Sequence, residues 1–142
     1  MTLSEHFTLD EFTHSKTATR MGASNAPPLE LLPALKRTAK GLEAVRTLLG
    51  DLPITVSSGY RSPMVNNLVG SKPSSQHLLG QAVDFTCPAF GTPEQIMRRI
   101  VSSGIEYDQC LLEFNSWVHI SFNDKPRRQA LVIDRNGTRS YA

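Results

Sequence analysis

Two stretches of the 142-residue chain carry side chains able to share a metal ion. The first is Ser75-Gln76-His77-Leu78-Leu79-Gly80-Gln81-Ala82-Val83-Asp84, an imidazole and a carboxylate close together around a glycine. His77 follows a polar, turn-prone run from Gly70 to Ser75, so it belongs on a loop. Asp84 falls in the alternating run Ala82-Val83-Asp84-Phe85, which reads as a half-buried strand. Val83 and Phe85 then face the core, and Asp84 looks out with Ala82 into the cleft that the loop covers. The second stretch, Trp117-Val118-His119-Ile120-Ser121-Phe122, repeats the pattern: Val118, Ile120 and Phe122 share one face, His119 the other with Trp117 and Ser121. Two imidazoles and one carboxylate make a three-ligand zinc set with one position left for water. Each residue alone is more simply a hydrogen-bonding structural group. The chemistry rests on the set.

Taken together, Ser75-x-His77-x-x-Gly80-x-Ala82-x-Asp84, the following Trp117-x-His119 and the preceding Ser58-Gly59-Tyr60-Arg61-Ser62 resemble the M15 metallopeptidases. That family includes zinc D-alanyl-D-alanine carboxypeptidases, vancomycin-resistance dipeptidases and phage endolysins. The similarity is closest to its small single-domain branch, common in phages and prophages, and runs from Phe7 to Phe122. It implies one Zn2+ on His77, Asp84 and His119, and Arg61 anchoring substrate carbonyl or carboxylate oxygens, a task suited to guanidinium geometry. It also implies Ser75 hydrogen-bonding near the substrate, although a loop-stabilising hydroxyl explains that serine equally well. The implied activity is hydrolysis of amide bonds in peptidoglycan stem peptides, as a D-Ala carboxypeptidase or an endopeptidase.

Such chemistry wants a general base beside the attacked carbonyl. Better-known members carry a Glu or Asp three residues before the last histidine, and here that position is Ser116. Glu113 is the nearest replacement. A two-residue Asn115-Ser116 loop would pair it with Val118 and turn it away from His119, so the assignment requires a three-residue loop or bulge, which is expected to pair Glu113 with His119. Asp108 is the reserve base, though a strand-start residue is its simpler reading. Gln109 and Trp117 are expected to line the pocket. The serine at 116 keeps open another class of protein, a non-catalytic zinc-binding phage structural or wall-binding domain. A relative that has lost its metal is a third.

Length and a 39% hydrophobic content fit a single domain over residues 1–142, with a core region of about 7–122 and a C-terminal strand and tail from 123. A net charge of +2 with both signs mixed argues against nucleic acid but suits an anionic wall polymer. No apolar run approaches the ~20 residues of a membrane span. Met1 to His6 shows neither a basic n-region nor an apolar h-region, so no secretory signal is expected. The wall would be reached after membrane permeabilisation in phage or prophage lysis, by a monomer. Cys87 and Cys110 read as buried free thiols; Cys87 as a fourth ligand would close the site.

These side chains need positioning elements. Thr8-Leu9-Asp10-Glu11 has capping-box spacing for a short helix, and Ser15 caps another turn up to Gly22. His6 and His14 here read as surface or capping groups. Pro27-Pro28 opens the longest helix, whose stripe Leu32, Leu35, Ala39, Leu42, Val45 and Leu49 faces the core before Gly50. Ile54 to Ser57 reads as a strand, Ser62-Pro63 starts a helix, and Arg61 lies at that junction. Thr92-Pro93 starts another helix, ended by Gly104. Strands are expected over Asp108–Phe114 and Ala130–Ile133, with Asn136-Gly137 turning into the tail. The result is α+β, an antiparallel sheet flanked by helices, similar to the zinc DD-peptidase and Hedgehog-like fold.

Overall fold

The computed structural model describes residues 1–141. Helix α1 (Leu9–Thr13) starts from the expected capping box at Thr8, and α2 (Lys16–Met21) is capped by Ser15 and stopped by Gly22 in the left-handed region. The long helix α3 (Leu32–Leu48) begins later than Pro27-Pro28 suggests. A 3-10 turn, Leu29–Leu31, comes first, with Pro28 extended before it. The reason is Pro33: it has no N–H to donate back into an earlier turn, so it fits only at the start of an α-helix. Strand β1 (Thr55–Ser58), α4 (Pro63–Leu68), β2 (Ala82–Thr86) and α5 (Pro93–Val101) follow. β3 (Gln109–Glu113), β4 (Trp117–Ser121), β5 (Gln129–Asp134) and β6 (Gly137–Ser140) complete the chain.

The six strands form one sheet in the order β1-β2-β4-β3-β5-β6. Every pairing is antiparallel except β3 with β5, which departs from the expected all-antiparallel sheet. After the β3–β4 hairpin the chain crosses back, and β5 enters on the far side of β3 in the same direction. The tail is itself a strand: β6 closes a hairpin on β5 in which Asp134 pairs with Gly137.

One face of the sheet builds the core. Val83, Phe85, Cys110, Leu112, Val118 and Ile120 pack with Leu35, Leu42 and Val45 of α3 and with Ile96, Met97 and Ile100 of α5. Residues of this type at alternate positions bury about 1.5–3 kcal/mol each, which holds the sheet in register against the helices. Cys87 and Cys110 are free and buried in this layer, and neither belongs to the group of His77, Asp84 and His119 whose ligand atoms lie close enough together to share an ion. The other face presents Asp84 on β2, His119 and Trp117 on β4, and Glu113 and Gln109 on β3. β2 is buried on both faces rather than one, because it is flanked by β1 and β4 and its outer side is covered by the Gln76–Leu79 turn.

Candidate metal centre

His77 lies in the 3-10 turn Gln76–Leu79, capped by the Ser75 hydroxyl, which accepts from His77 N–H at 3.2 Å. Ser75 therefore performs the loop-stabilising role, and it also lines the cleft. Gly80 ends the turn at φ +70, a conformation that favours glycine, and its carbonyl takes the buried Thr38 hydroxyl at 2.6 Å. The next residues enter β2, where Asp84 pairs across the sheet with His119. One turn and two adjacent strands thus converge.

The convergence is tight. One ligand atom from each of His77, Asp84 and His119 lies within 4.8 Å of the others, and all three residues are buried. His77 Nε2 is 3.3 Å and His119 Nδ1 2.9 Å from the same Asp84 oxygen, Oδ1. Tetrahedral zinc with ~2.0–2.2 Å bonds places its ligands about 3.3–3.6 Å apart, so these spacings need only a slight opening. Protonation fits as well. His77 Nδ1 lies 2.6 Å from the Gly59 carbonyl, an acceptor only, so Nδ1 carries the proton and Nε2 turns a lone pair toward Asp84. Two lone pairs facing each other call for a cation between them, and the Gly59 bond is the kind of outer contact that orients a ligating histidine. Gly59 must be glycine, since a Cβ there would run into the Phe12 backbone.

Electrostatics point the same way. Burial lowers the His77 pKa and keeps the imidazole neutral, as a ligand must be. Burial alone would raise the Asp84 carboxyl, but the hydrogen bond to His119 and the imidazole of His77 beside it outweigh burial and hold the group well below the usual carboxylate range.

Glu113 reaches the same spot by a register different from the one expected. The turn is the three residues Phe114-Asn115-Ser116, with φ of 52° and 50° at Phe114 and Asn115, so Glu113 pairs with Trp117 and Leu111 with His119. Three loop residues place positions 113 and 117 opposite each other. Pairing with His119 is therefore wrong, but Glu113 still shares the face of His119, and its Oε1 lies 3.7 Å from His119 Nδ1. Burial first, then the negative charge of Asp84, push its carboxyl upward. The Trp117 indole N–H, buried, sits beside this carboxylate just outside hydrogen-bond geometry. Ser116 is exposed in the turn, its hydroxyl donating to the Phe114 carbonyl.

Arg61 sits at the strand-to-helix junction as expected. Its Nη2 is 3.7 Å from Asp84 Oδ2, its Nη1 donates to Asn66 at 3.3 Å, and its backbone N–H donates to the His77 carbonyl. Burial draws its pKa down, with Asp84 and Glu113 opposing. Gln109 and Trp117 line the same cleft of about 750 Å3. Asp108, the reserve base, is fully buried and occupied by Arg127 and Gln76, which rules it out as a proton acceptor. His6 bonds Glu43 instead, at 2.7 Å. The Gly59 carbonyl, Asn66 and Arg127 carry no signal in the sequence beyond the glycine that precedes Tyr60 and Arg61.

Two histidines and one aspartate close enough to hold one metal ion, flanked by a half-buried glutamate and an arginine in an open cleft, form the type of site that hydrolytic metalloenzymes use. The donor set is compatible with one zinc ion. The family model for Peptidase M15 matches residues 5–121, and the chain belongs to that family. It is also similar to a zinc D-Ala-D-Ala carboxypeptidase of Streptomyces albus G, 46% identical over 43 residues. That stretch is 30% of this chain and spans only 17% of the relative. No helix of the described residues is long and apolar enough to cross a membrane.

Proposed function

We propose that the protein is a zinc peptidase that hydrolyses amide bonds of peptidoglycan stem peptides, with His77, Asp84 and His119 as the metal ligands. The observation that carries this reading is the His77 lone pair, fixed toward Asp84 by the Gly59 carbonyl beside a second imidazole. When bound there, zinc supplies Lewis acidity, polarising a carbonyl and acidifying water. Glu113 takes the proton of the attacking water and passes it to the leaving amine; its raised pKa suits a group that must both accept and return a proton. Arg61, held by Asn66 beside Asp84, steadies the carbonyl or carboxylate oxygen of the substrate. Ser75, Gln109 and Trp117 shape the cleft around the peptide. The carboxypeptidase named in Streptomyces albus G supports D-alanine-containing peptides as the substrate class. The phage-like sequence pattern supports a monomeric, wall-lytic enzyme acting at phage release.

The test is digestion of purified cell walls, with muropeptides read by mass spectrometry. Wild type releases D-alanine or cleaved stem peptides, and Glu113→Ala with full zinc does not. A zinc-replete wild type that leaves every muropeptide intact contradicts the reading and favours a non-catalytic zinc domain.

A further inference from the structure

Arg127 enters the cleft from the connection between β4 and β5 and is held in a way the reaction above does not use. Its Nε and Nη2 donate to Asp108 Oδ1 and Oδ2 at 2.8 and 2.7 Å, and its backbone N–H donates to Oδ1 at 3.0 Å. Asp108 has no exposed surface, and Gln76 Nε2 donates to its Oδ2 at 2.8 Å. Gln76 also donates to Gln81, so the clamp is tied to the turn that carries His77. Pairing through Nε and Nη2 is side-on. It leaves the end-on edge of the guanidinium, with Nη1, unmet among the described residues, while the Arg127 side chain is 57% exposed. Arg127 lines the same cleft as Arg61, Glu113 and His119, and Lys72 lines it too.

A guanidinium fixed in direction by a buried carboxylate has already lost the rotamer freedom that binding would otherwise cost, and its free edge matches the two oxygens of a carboxylate. We infer that Arg127 is an anion subsite of the cleft, taking a carboxylate that the peptide substrate carries upstream of the bond to be cut. Asp108 and Gln76 are its positioning residues. Arg61 and Arg127 then give the cleft two cationic anchors, and a peptide carrying a second carboxylate engages both. That the ligand is a peptide rests on the reading of the preceding subsection.

The test separates binding from cleavage. Trp117 is the only tryptophan of the chain and lines the cleft, so its fluorescence reports occupancy. Zinc-loaded protein is mixed by stopped flow with N-acetylated peptides ending in D-Ala-D-Ala that carry glutamate or glutamine at each of three upstream positions in turn, and the fluorescence is read before turnover. At one position the glutamate peptide binds about tenfold or more tightly than its glutamine twin, the size expected of a charge-assisted bidentate contact. In Arg127→Gln that ratio falls to near one. In Arg127→Lys, which keeps the charge without the fork, it lies between. Equal affinities at all three positions in wild type overturn the inference whatever the variants do, and so does a preference that survives Arg127→Gln. A wild type that shows the preference but cleaves none of the peptides retains the subsite and removes the peptidase reading.

Discussion

Replacing Glu113 by glutamine keeps the shape of the side chain and removes only its ability to accept a proton. The structure places this carboxylate 3.7 Å from His119, on the same sheet face as Asp84 and His119, with 20% of the side chain exposed for proton exchange with solvent. Removing a positioned general base costs about 10^2–10^4 in rate, or ~3–5 kcal/mol of transition-state stabilisation. The loss should fall on kcat, since the amide can still hydrogen-bond a bound peptide. Stability should move the other way or not at all: in the metal-free protein burial and Asp84 disfavour the charged glutamate, so a neutral amide relieves that cost at neutral pH. The assay is amine release from a D-Ala-D-Ala peptide, with zinc content and melting temperature measured on the same preparations. Activity within about threefold of wild type, at equal zinc, would place the base elsewhere. Loss of zinc together with activity would make Glu113 a structural support of His119.

Other expectations follow from single contacts. Asp108→Asn breaks the side-on pair with Arg127 and should lower stability at neutral pH by about 2–3 kcal/mol. Because the folded pKa of Asp108 is depressed, its contribution is complete above the unfolded value near 4 and fades as pH falls below it. Wild type should therefore lose stability more steeply than the variant on acidification through that range, as denaturant midpoints will show. Gly59→Ala forces a methyl into the Phe12 backbone and displaces the carbonyl that orients His77, so zinc affinity should fall about 10–100-fold by competition with a chelator. Both thiols are buried, and burial pushes that of Cys110 upward, so neither should react with a thiol reagent in the native protein and both should react after unfolding.

The convergence of His77, Asp84 and His119 is legible in the sequence because their setting is local. Alternation around Asp84 and His119 assigns their faces, and the turn chemistry around His77 and Gly80 places the third group on a loop beside them. The capping boxes, the α3 stripe and the Ser62-Pro63 start are equally local. What escaped was long-range or one residue wide. The β3–β5 pairing is parallel because of where the chain crosses after β4, and no alternation pattern encodes that. Glu113 lands beside His119 through the length and left-handed backbone of a three-residue turn, where an error of one residue changes every partner. Asp108 looked like an ordinary strand start, since its partners Gln76 and Arg127 lie 32 and 19 residues away. A second proline, Pro33, sets the start of α3 at Leu32, past the Pro27-Pro28 pair that the first-turn rule selects.

Zinc binding itself tests the account most directly. Metal-free protein titrated with zinc, and in parallel with cobalt for its visible spectrum, should take up one ion per chain. The single substitutions His77→Ala, Asp84→Asn and His119→Ala should each weaken that uptake by two orders of magnitude or more and alter the cobalt bands. A protein that binds no zinc, or that binds it equally well without any one of these three side chains, contradicts the claim that they form one metal centre.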